Sequence, residues 1–121
     1  MSAFPEGRIS YLQMPAADPE RAAEFYAAVF GWSIRRHHDG SVRFDDPHGV
    51  VSGMWLTGVA PADPPGMVLS VLVRDVAATL EKVVAGGGRV VEDIWGEPPE
   101  LYARFADPTG NVLGVFEEGG R

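Results

Sequence analysis

Cysteine is absent from the 121-residue chain, which excludes disulfides and thiolate metal sites. That absence fits a cytoplasmic protein. Lysine is nearly absent as well: Lys82 stands alone, and every other basic residue is an arginine. The formal net charge of −7 opposes nucleic acid, and no basic cluster offsets it. The same charge weakly favours cationic ligands. No apolar run approaches the length of a membrane span, and the N-terminus lacks the pattern of a signal peptide. No Ser-His-Asp order, phosphate loop or His-x-x-x-His pair occurs. The apolar share of 45% and charged share of 22% are those of an ordinary globular protein. The length suits one domain with one sizeable core.

In place of these features the chain has a repeat. Residues 43–55 read RFDDPHGVVSGMW, and residues 104–116 read RFADPTGNVLGVF. The same punctuation recurs further upstream. Asp18-Pro19 reads as an N-cap with proline in the first helical turn, and Asp75 is its counterpart. Ala22, Phe25, Tyr26, Val29 and Phe30 form one helical stripe, stopped by Gly31. Val76, Leu80, Val83 and Val84 form the other, stopped by Gly86, Gly87 and Gly88. Alternating stretches predict strands in RISYLQM, WSIRRH, SVRF and VVSGMWL, with a hairpin at Asp39-Gly40. The second half predicts strands in MVLSVLV, RVVED, LYARF and NVLGVFE.

The fold class that follows is α+β: two tandem β-α-β-β-β modules whose curved sheets surround a groove. Module one spans residues 8–57, a proline-rich linker 58–66, and module two 67–118, all within a single domain of residues 1–121. Asp18 to Asp75 and Gly31 to Gly88 keep one offset, and the late motifs keep an offset four residues larger. The extra length falls in EDIWGEPPE, predicting a longer loop from Glu92 to Glu100 with Trp95 at its tip.

This arrangement resembles the vicinal-oxygen-chelate superfamily, the group of glyoxalase I, bleomycin-resistance proteins and extradiol dioxygenases. The carriers are DPERAAEFYAAVFGW at residues 18–32 and FADPTGNVLGVFE at residues 105–117. In metal-dependent members the first and last strands of each module supply His, Gln or Glu ligands. Carried onto this chain, the resemblance puts those positions at Tyr11, Gly53, Leu69 and Gly114. Glycines and an apolar stretch cannot hold a divalent cation, so the expectation is no metal and no cofactor. Gln13 shares a face with Tyr11, but one amide is not a site.

By the period of two, Val51, Gly53 and Trp55 share a face, as do Val112, Gly114 and Phe116. The two glycines either leave room on the groove floor or permit tight strand packing. The candidate ligand-binding residues are Tyr11, Gln13, Gly53, Trp55, Leu69, Trp95, Arg104, Gly114 and Phe116; no catalytic residue is assigned. Arg43 and Arg104 precede Phe44 and Phe105 in matched strands. They hold either a ligand carboxylate or a structural ion pair. His37, His38 and His48 read as surface turn residues.

The expected function is bleomycin-resistance-like: a homodimer that binds a small cationic or aromatic molecule in an apolar groove without metal. A metal-independent isomerase, lyase or cyclase of the same superfamily is the alternative. A metal-dependent glyoxalase or dioxygenase fits least.

Overall fold

The computed structural model describes residues 6–118. Its elements run β1 (Tyr11–Pro15), α1 (Pro19–Phe30), β2 (Ser33–Arg36), β3 (Val42–Asp45) and β4 (Ser52–Leu56) in module one. Module two has β5 (Ser70–Leu72), α2 (Val76–Ala85), β6 (Arg89–Glu97), β7 (Glu100–Ala106) and β8 (Val112–Glu117). Each module forms its own four-stranded sheet, ordered β1-β4-β3-β2 and β5-β8-β7-β6. The first strand of each module lies parallel to the last, and the remaining pairs are antiparallel.

Both helices start as the sequence predicts. Asp18 accepts the backbone N–H of Arg21, and Asp75 accepts that of Ala78. Each cap stabilises its helix by about 1 kcal/mol. Gly31 ends α1 in the left-handed region at φ 75°, where a side chain would be strained. One face of each helix is buried against the inward face of its own sheet.

The modules share a single core. α1 packs on α2, and Phe25 lies 5.9 Å from Phe105 of the other module. Among the described residues two polar ties cross the boundary. The Tyr26 hydroxyl donates to Asp107 at 2.8 Å, and the Asn111 amide donates to the Pro15 carbonyl at 2.7 Å. Asp107 is itself anchored, accepting the N–H groups of Thr109, Gly110 and Asn111. Burial, and then the Asp107 carboxylate, hold the Tyr26 phenol well above its ordinary pKa. It therefore stays protonated and donates.

Two expectations fail here. The predicted loop from Glu92 to Glu100 is instead most of a hairpin: β6 runs to Glu97, β7 starts at Glu100, and Pro98-Pro99 form the turn. Trp95 sits on the strand rather than at a loop tip, stacked on Tyr102 with ring centroids 4.6 Å apart. The repeated glycines are also out of phase. Arg43 pairs with Met54, whereas Arg104 pairs with Gly114. The arginines are 61 residues apart (104 − 43), but their partners only 60 (114 − 54). The cause is one extra residue between the strands: residues 46–51 link β3 to β4, and residues 107–111 link β7 to β8. A one-residue shift turns a strand's side chains to the opposite face.

Candidate functional site

The registers sort every predicted site residue by face. Gly53 and Trp55 belong to the inward, helix-covered side of module one, which corrects their placement in a groove. Trp55 is buried against Tyr26 and Phe44, at centroid distances of 5.9 and 4.8 Å. A Cβ on Gly53 would collide with the Leu12 carbonyl and the Phe44 ring. This glycine is a packing device. Leu69 also packs on the core, not on an outer face.

The remaining candidates lie on the outer faces. Tyr11 pairs with Ser52 and Gln13 with Met54 on sheet one. Gly114 pairs with Ser70 and Arg104, and Phe116 with Leu72 and Tyr102, on sheet two. Matching β4 to β8 by register makes Met54 the counterpart of Gly114. Since these pair with Gln13 and Ser70, the four equivalent outward positions are Gln13, Met54, Ser70 and Gly114. An amide, a thioether, a hydroxyl and a glycine offer no anionic or imidazole ligand, so this set does not fit the divalent cation of the metal-dependent relatives. Among the described residues no three His, Asp or Glu side chains come together.

Sheet two carries a feature that single-strand reading misses. Leu72, Phe116, Tyr102 and Trp95 are successive partners across all four strands. They form one apolar rung on the outer face, with Leu72 and Trp95 more than half exposed. The next rung is Ser70, Gly114, Arg104 and Glu92. Pairing across the Pro98-Pro99 turn was the available signal, hidden because that segment reads as loop. Arg104 lies 3.7 Å from Glu92, and Arg43 lies 3.8 Å from Asp39, so both arginines sit in exposed ion pairs. The outer face of sheet one is charged: Arg35 and Asp45 form a pair at 2.7 Å beside Arg43.

A separate cavity of about 570 Å³ opens between the modules, on the helix side of sheet one. Phe30, Trp32, Phe44 and Leu12 line it from module one. Leu69 and Val71 of module two face them. Of the predicted site residues only Leu69 reaches it.

A paired β-α-β-β-β fold with outward positions open on both sheets defines a glyoxalase-type protein. The chain belongs to the Glyoxalase/Bleomycin resistance protein/Dioxygenase superfamily, whose family model matches residues 8–115. It is 28% identical to a glyoxylase-like domain-containing protein of Didymella fabae, over 95% of this chain and 97% of that one. Two mycobacterial relatives are 29% identical, and the chain spans 48% of their length. The fold is shared with a glyoxalase-related enzyme from Fulvimarina pelagi (TM-score 0.72, 22% identity, covering 93% of this chain and 88% of that one). It is also shared with TnmS3, an antibiotic binding protein from Streptomyces sp. CB03234 (TM-score 0.70, 23% identity, covering 97% and 100%). Among the described residues no helix is long and apolar enough to cross a membrane.

Proposed function

We propose that the protein binds a small aromatic molecule on the outer sheet faces, without a metal, as a cytoplasmic homodimer. The observation that carries this reading is the rung of Leu72, Phe116, Tyr102 and Trp95 beside Gly114, where only the Ser70 hydroxyl covers the backbone closely. Flat rings stack on such a surface, and each ring contact is worth about 0.5–1.5 kcal/mol beyond its burial. Arg104, on an inner strand of sheet two, and Gln13, on the edge strand β1 of sheet one, supply polar groups on the outer faces. A carboxylate or carbonyl on the ligand would compete with Glu92 for Arg104. An antibiotic-binding protein among the fold neighbours is consistent with this reading.

The second copy enters because each outer face is open. Tyr11, Leu72 and Trp95 are 48, 56 and 55% exposed. A two-fold partner would cover such a surface, burying above roughly 1,200 Å² in a stable dimer.

Thermal shift against aromatic antibiotics, zinc and nickel tests the reading, with Trp95 fluorescence reporting contact. A ligand at about 100 times its Kd stabilises the fold by about 2.7 kcal/mol. The expected response is to aromatic compounds, and it should vanish in Gly114→Trp, which places a bulky ring beside the apolar rung. A strong zinc or nickel shift that disappears in Gln13→Ala would overturn it. Sedimentation at micromolar concentration checks assembly: a single species of monomer mass would remove the dimer.

A further inference from the structure

The internal repeat creates two similar junctions between the modules, and only one of them is filled. At the filled junction α1 meets module two. Phe25 lies against Gly86 and Gly88, so closely that a Cβ on either would stand 3.1 Å from its ring. Arg21 reaches over Gly87. The helix offset of 57 (75 − 18) carries Phe25 to Lys82 and Arg21 to Ala78. The same offset carries Gly86 and Gly87 back to Val29 and Phe30. At the second junction the ring and the guanidinium are therefore missing, and bulky Val29 and Phe30 replace two of the three glycines, the third being matched by Gly31. The space left between them is the 570 Å³ cavity, which Val29, Phe30, Ala78 and Lys82 all line. That volume is typical of small-molecule sites.

Charge at the cavity wall is mixed: the basic Arg74 and Lys82 stand beside the acidic Asp46 and Asp75. Arg74, Lys82 and His48 line it, and among the described residues their side chains make no hydrogen bond or ion pair. Each acid is held by its own backbone through one carboxylate oxygen, Asp46 accepting the Val50 N–H at 2.8 Å and Asp75 the Ala78 N–H at 3.0 Å, whereas the two cations have no such tether. We infer that the junction cavity is a second ligand site, distinct from the outer faces, that takes a small aromatic anion. The ring occupies the place that Phe25 fills at the twin junction, against Phe30, Trp32 and Phe44. The carboxylate or sulfonate points outward to Arg74 and Lys82.

Fluorescence titration with 1-anilinonaphthalene-8-sulfonate tests this, with neutral N-phenyl-1-naphthylamine as the uncharged control. One sulfonate probe should bind per chain. Lys82→Phe, which restores the twin's ring, should weaken it by about tenfold or more, and so should Ala78→Trp, a change at an exposed helix position. The double variant Arg74→Gln/Lys82→Gln should lose about fivefold for the sulfonate and little for the neutral probe. Equal losses for both probes would overturn the anion. Unchanged binding in Ala78→Trp would overturn the site. Probe binding lost in Gly114→Trp but kept in Ala78→Trp would place it on the outer face and also overturn the site.

Discussion

The inward side of module one stacks Tyr26 on Trp32 and Trp32 on Phe44, with centroids 4.6 Å apart in each case, and Trp55 closes the series. The same positions of module two are Val83, Arg89, Phe105 and Val115. On the outward side the balance reverses. Module two presents Trp95, Tyr102 and Phe116, while module one presents Arg35, Arg43 and Asp45. Module one buries most of its rings in the core, Tyr11 excepted, and module two turns most of its rings to the outer face, Phe105 excepted. A duplicated unit thus divides two demands that conflict within a single sheet.

The two repeated glycines give the sharpest break of that comparison. Gly53→Ala forces a Cβ into backbone as well as into the Phe44 ring, so a loss of about 3 kcal/mol is expected. Gly114→Ala meets only the Ser70 hydroxyl closely, at 2.6 Å, and that side chain can turn away. Its cost should stay below about 1 kcal/mol. Urea denaturation of both variants decides it: equal losses would mean the glycines share a role after all.

Tyr26→Phe comes next. It keeps the stacked ring and removes only the donor to Asp107, a residue 4% exposed. A loss of about 1–2 kcal/mol is expected, measured as a shift in denaturation midpoint at constant slope. A neutral result would mean that the Tyr26–Asp107 hydrogen bond adds nothing to the join between the modules.

The smallest effect concerns acid. The Asp45 carboxyl is held below its ordinary pKa, first by the Ser52 hydroxyl and then by Arg35. A depressed acid adds stability that is full above its unfolded pKa of about 3.9 and is lost as pH falls through its folded value. Asp45→Asn should cost under about 1 kcal/mol at pH 7, because the pair is partly solvated. It should also flatten the decline below about pH 4. Ala106 holds the matching place in module two, so Ala106→Asn offers no such change in acid response.

Helix ends and the order of elements were legible because each has a local cause: Asp18 and Asp75 as caps, Gly31 as a stop. The face of Gly53 was not. Its resemblance to Gly114 survives the extra residue in the preceding connection, but its phase does not. The hairpin around Pro98-Pro99 was obscured because two prolines and Gly96 locally resemble a loop, and only pairing with β7 reveals a strand. The junction cavity was hidden for a different reason. Phe30, Trp32 and Phe44 read as core, and nothing local says that Lys82 stands where a ring would close the space.

The nine-residue strand β6 bears on behaviour in concentrated solution. It is the outer strand of its sheet and exposed along its whole length. Such a border invites chain after chain to add on and grow fibrils. Glu92, Asp93 and Glu97 set like charges against any approaching copy, and the irregular pairing between Val90 and Trp95 spoils a flat template. Solubility under crowding thus depends on three acids and a crooked strand, and neutralising those acids would remove the guard while leaving the core untouched.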